Sequence, residues 1–191
     1  MIFTMDRDTW RRSPWRLLLW GIPTALLITP AVAMQFTSEV QWTPFDFIFA
    51  CVLLYGSAGT VDLTMRKSGS AAYRLGAGLA VLVSVLLIWL NGAVGVIGDE
   101  DNPANLAFIV IIMLAAAGAV AARFEARGMT RAMTIAFVLT AAIALLVPIY
   151  GLGADEHPGM PALAALIGVF AMMWGLSAAL FAKAARDREL G

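Results

Sequence analysis

The chain has 191 residues, 61% of them apolar and only 14% charged, with a mean hydropathy of +0.82. Soluble domains carry about 25% charged and about 45–50% apolar residues, so an ordinary water-soluble domain is excluded. The formal net charge of zero excludes a generally basic nucleic-acid binder, and the single Cys51 and single His157 exclude an internal disulfide and a multi-histidine haem or zinc site.

A helix needs about 20 mostly apolar residues to cross a hydrocarbon core of about 30 Å. Six runs qualify: Leu17 to Phe36, Phe45 to Met65, Leu75 to Gly98, Leu106 to Phe124, Ala132 to Gly153 and Ala162 to Ala182. They are too continuous for the alternating pattern of a membrane barrel, and open backbone is not satisfied in lipid, so helices are predicted. The expected fold is all-α: an integral membrane bundle of six transmembrane helices in three hairpins. Residues 1–16 form a cytoplasmic basic and aromatic segment, 17–182 the membrane domain and 183–191 a cytoplasmic tail. An alternative reading of the start takes Ala31-Val32-Ala33 as a signal-cleavage site, which would remove the first span; the long apolar run favours its retention.

Charge sets the orientation. Arg7, Arg11, Arg12 and Arg16 precede the first run, Arg66, Lys67 and Arg74 follow the second, Arg123, Arg127 and Arg131 follow the fourth, and Lys183, Arg186 and Arg188 follow the sixth. All 13 basic residues thus fall on one side, which the positive-inside rule makes cytoplasmic, with both termini inside. The other three connections hold Glu39 and Asp46, then Asp99, Glu100 and Asp101, then Asp155 and Glu156, with no Lys or Arg.

In chain order, Arg7 to Arg16 interleaved with tryptophans read as a lipid-headgroup anchor, and Pro23, Pro30 and Pro148 are expected to kink or loosen their helices. Thr43-Pro44-Phe45-Asp46 has the pattern of a capping box, and Asn102-Pro103 that of a capped helix start. Small residues at helical spacing mark faces expected to point into the bundle. These are Cys51, Tyr55, Gly59 and Asp62 in the second span, Ala77, Ser84, Asn91, Gly95 and Gly98 in the third, and Gly168, Gly175 and Ala179 in the sixth. Trp89 and Trp174 are expected to be packing residues. The acidic turns recur at similar intervals, and aligning Pro44 with Pro103 superposes Gly59 on Gly118, as a hairpin repeat would.

The stretch Trp89-Leu90-Asn91-Gly92-Ala93-Val94-Gly95-Val96-Ile97-Gly98-Asp99-Glu100-Asp101-Asn102-Pro103-Ala104-Asn105 resembles the W-x-N-x-A-V-G-x-I-G-x-E-D-N-P-A-N pattern of a family of small multi-pass inner-membrane proteins of proteobacteria. The resemblance implies a bacterial inner membrane and transfers no catalytic role.

No catalytic constellation is legible. Gly56-Ser57-Ala58-Gly59 superficially resembles the serine neighbourhood of intramembrane proteases, but no span holds a histidine to act as base. The candidate polar site is Asp62, Tyr55 and Asn91 within the spans, with Asp99, Glu100, Asp101, Asn102, Asp155 and Glu156 at an acidic outer mouth. Asp62 lies four residues before Arg66, which also suits a local ion pair. No cofactor or metal is called for. Two functions lead: a non-enzymatic scaffold or accessory subunit, partnered by lipid and by membrane proteins or a second copy, and a small transporter or channel for a cationic or polar solute; an intramembrane enzyme acting on lipid ranks third, because no base and nucleophile pair in the sequence.

Overall fold

Six helices long and apolar enough to cross a membrane account for most of the residues that the computed structural model describes, namely 14–67, 70–98, 101–152 and 159–190. They are α1 (Pro14–Ala33), α2 (Pro44–Lys67), α3 (Ala71–Ala93), α4 (Leu106–Ala121), α5 (Ala126–Tyr150) and α6 (Met160–Glu189), with a 3₁₀ turn at Pro103–Asn105 leading into α4. No strand occurs among the described residues. The chain divides into two compact units, Met1–Gly69 and Ser70–Gly191.

In the first unit α1 packs on α2. Pro23 and Pro30 both lie within α1, seven residues apart on one stripe, and both are buried. The helix runs on through each of them. The start of α2 is fixed locally, as the sequence predicted. The Asp46 carboxylate accepts from the Thr43 amide at 2.7 Å and from its hydroxyl at 2.8 Å, while the Asp46 amide donates to Thr43 Oγ1 at 3.3 Å.

In the second unit α6 is the hub. It packs along α5 and α3, α5 also packs on α4, and α3 meets its sequence neighbour α4 far less. Leu163, Ile167, Phe170, Trp174, Ser177 and Phe181 recur at helical spacing on α6 and are all buried. Facing them, Tyr73, Gly76, Ala80, Val83 and Leu87 form the buried stripe of α3. The contact is close: Ser177 Oγ donates to the Gly76 carbonyl at 2.8 Å, and a Cβ on Gly76 would sit 3.2 Å from Leu180 Cβ. Near that level Tyr73 and Phe181 meet edge to face at 5.1 Å.

These faces correct three sequence expectations. On α3 the interior runs through Tyr73, Val83 and Leu87 rather than through Ser84 and Asn91, which are half-buried. The helix stops at Ala93, so Gly95 and Gly98 belong to the following loop, where φ of +73° and +72° demands glycine. On α6 Gly175 packs against the Phe137 ring, but Gly168 has open space beside it and Ala179 is exposed. For the first and third the reason is that a lipid-facing surface and a helix contact accept the same apolar residue types, so the local pattern does not separate them; for the second, hydropathy does not register a helix break. Trp174 is buried, whereas Trp89 remains 41% exposed.

The α4–α5 connection is a tight reversal. Arg123 and Phe124 take φ of +49° and +59°, unusual for residues with side chains, and the Phe124 amide reaches back to the Ala119 carbonyl at 2.9 Å. Tyr73 locks the turn from α3 by donating its hydroxyl to the Phe124 carbonyl at 2.6 Å. A Cβ on Gly128 would fall 2.2 Å from Ala122 Cβ, so only glycine lets α5 leave this turn. Gly118 likewise brings α4 close to Ala132, whereas Gly59 has nothing within 4 Å, so the two glycines aligned by the repeat occupy different surroundings.

Candidate functional site

Within the α1–α2 hairpin the ionisable residue of the second span is engaged. Asp62 is 5% exposed and its carboxylate is shared by two guanidinium groups. Arg66, one helical turn further along α2, binds Oδ2 through Nη2, and Arg16 on α1 brings Nε to 3.4 Å from Oδ1. The sequence spacing identified Arg66. It gave no hint of Arg16, because that contact depends on how two helices pair. Tyr55 does not join this cluster: it shares a hydrogen bond of 2.7 Å with Thr24 and stacks on Trp20 at 6.0 Å. The Ser57 hydroxyl donates to the Leu53 carbonyl at 2.6 Å, a local helical bond that gives no sign of nucleophile activation.

In the second unit, Asn91 stands near the end of α3. Its Nδ2 donates to the Leu87 carbonyl at 2.7 Å, and its Oδ1 is buried with no hydrogen-bond partner among the described residues. Asn91 and Asp62 belong to different units.

Of the acidic connections, Asp99, Glu100, Asp155 and Glu156 lie outside the described residues. Asp101 is exposed, and Asn102 caps the 3₁₀ turn by accepting from the Ala104 amide at 3.0 Å, with Pro103 at the first position as expected. The residue that organises this loop is Asn105, which the sequence reading quoted without a role. It is 5% exposed; its Oδ1 accepts from the amides of Val96 at 3.0 Å and Ile97 at 2.8 Å, and its Nδ2 donates to the Ile97 carbonyl at 3.2 Å. One side chain thus satisfies three buried backbone groups and tucks Val96 and Ile97 into the core. Its sequence signal was an asparagine closely following Asn102-Pro103, but the donors it serves lie in a loop that hydropathy assigned to helix.

A groove of about 950 Å³ opens along α5 and α6, lined by Ala141, Ala144, Pro148, Ala164, Ala165 and Gly168 with larger apolar neighbours. Its floor is small because those residues are small. Pro148 brings no amide to the Ala144 carbonyl, which therefore lacks its usual helical donor.

Taken together, the helices and their apolar faces define a multi-pass α-helical membrane protein. Comparison with protein-family models, curated proteins and solved structures finds no match for this chain.

Proposed function

We propose that this is a non-enzymatic protein of the bacterial inner membrane that works by helix association, as a scaffold or accessory subunit of a membrane assembly. The observation that carries the reading is the groove between α5 and α6. In lipid, helices gain little from burying apolar surface and associate where small residues let backbones approach. Ala141, Ala144, Ala164, Ala165 and Gly168 offer such a surface. The inner-membrane assignment is supported by the sidedness of the basic residues and by the resemblance around Asn91 to Asn105.

Gly168→Leu tests it. A side chain there enters open space, so the fold tolerates it while the groove fills. Cross-linking from a photoreactive residue at position 165, followed by native gels of extracted membranes, is expected to capture a membrane-protein partner or second copy that Gly168→Leu loses. A chain that stays monomeric and unlinked sinks the reading. A small transporter is the second reading, supported by the unpaired buried Oδ1 of Asn91. The acidic residues that the sequence places in three of the connections favour a cationic solute, and solute flux into vesicles that Asn91→Leu abolishes would select this reading.

A further inference from the structure

We propose that Arg16 and Arg66, held by Asp62, form a binding site for the phosphate group of an anionic membrane lipid. The inference is independent of the helix-association reading. Arg16 and Arg66 bring two guanidinium charges to the one carboxylate of Asp62. A guanidinium has five N–H donors in a rigid fork, and a single carboxylate does not occupy both sets. The Nε of Arg16 is buried, yet its closest approach to Asp62 is 3.4 Å and it has no hydrogen-bond acceptor among the described residues. Asp62 therefore pairs with Arg16 by charge without a hydrogen bond at Nε, and the guanidinium keeps donors for a further acceptor.

Access is open: the side chains of Arg16 and Arg66 are 28% and 42% exposed, whereas that of Asp62 is 7% exposed. An arriving anion therefore meets the two cations, with the carboxylate behind them as a positioning group. The cluster lies at the start of α1 and the end of α2, the hairpin end whose flanking sequence carries Arg11, Arg12 and Lys67. Basic pockets between helices at that depth suit the phosphates of anionic lipids. Trp15 and Leu17 flank Arg16 and Leu63 follows Asp62 in the chain; at 64%, 77% and 65% exposure they are apolar surface that acyl chains can cover. A free phosphate would use the arginines and leave that surface bare.

The test uses the full chain, purified in a neutral detergent and examined by native mass spectrometry with phosphatidylglycerol, phosphatidylcholine or inorganic phosphate added. The expected result is a retained phosphatidylglycerol, preferred over phosphatidylcholine and not displaced by inorganic phosphate. Arg16→Gln and Arg66→Gln should each weaken it by about fivefold, the value of one arginine near a membrane surface. Arg127→Gln, at an exposed arginine on α5, should leave binding unchanged. Arg66→Lys keeps the charge without the fork, guards against misfolding of the Gln variants, and should bind more weakly than the unaltered chain but better than Arg66→Gln. Equal retention of phosphatidylcholine, displacement by inorganic phosphate, or full binding in Arg66→Lys together with either Gln variant overturns the proposal.

Discussion

The two units of this chain solve the same problem with different chemistry. In the α1–α2 hairpin the distinctive contacts are polar: an arginine-bound carboxylate, a Thr24–Tyr55 hydrogen bond and a Trp20–Tyr55 stack. In the four-helix unit they are steric: Gly76, Gly118 and Gly128 at close approach, and Trp174, Phe108 and Phe181 buried almost completely. Two helices cannot enclose much volume, so the hairpin draws its specificity from charge and hydrogen bonds; four helices around a hub can use shape. Substitutions should therefore separate the units by the kind of change each tolerates.

The largest effect is expected from Trp174→Ala, which empties the centre of the four-helix unit and should cost about 4 kcal/mol in a thermal or denaturant melt in detergent. A loss under about 1 kcal/mol would mean that α6 is not the hub. Gly128→Ala should follow at about 3 kcal/mol, because its Cβ would overlap Ala122 at 2.2 Å and the turn must open. Asn105→Ala strands the Val96 and Ile97 amides and should cost about 2 kcal/mol; hydrogen exchange should quicken at those two amides before it does elsewhere. In the hairpin, Asp62→Ala leaves two arginines facing each other. Since both are partly exposed, screening holds the cost to about 1–2 kcal/mol, and added salt should reduce it, as it should not for Trp174→Ala. Smallest of all, Arg127→Gln breaks an ion pair with Glu189 whose side chains are 73% and 51% exposed, and the melt should shift by less than about 0.5 kcal/mol.

What the sequence made legible was whatever depends on neighbours along the chain. The six spans follow from apolar run length, and the caps at Thr43–Asp46 and Asn102–Pro103 follow from side chains reaching backbone groups a few residues away. The Asp62–Arg66 pair is likewise one helical turn. What stayed hidden depends on distant partners. Leu87 and Leu86 look alike in the sequence, yet one is buried and the other 38% exposed, since α6 covers only one side of α3. Arg16 and Asp62 meet only because α1 and α2 pair in a particular register. Asn105 works only once the segment after Ala93 has left the helix, a break that two glycines permit but hydropathy does not register.

The hub position of α6 also bears on the order in which the molecule is made. Tyr73 and Gly76 on α3 find Phe181 and Ser177 only after α4 and α5 have been synthesised and α6 has entered the bilayer. Until then α3 resides in the membrane with its closest-fitting surface against lipid or against whatever escorts nascent helices. A chain interrupted after α5 should keep the α1–α2 hairpin intact and leave α3 without its principal contact.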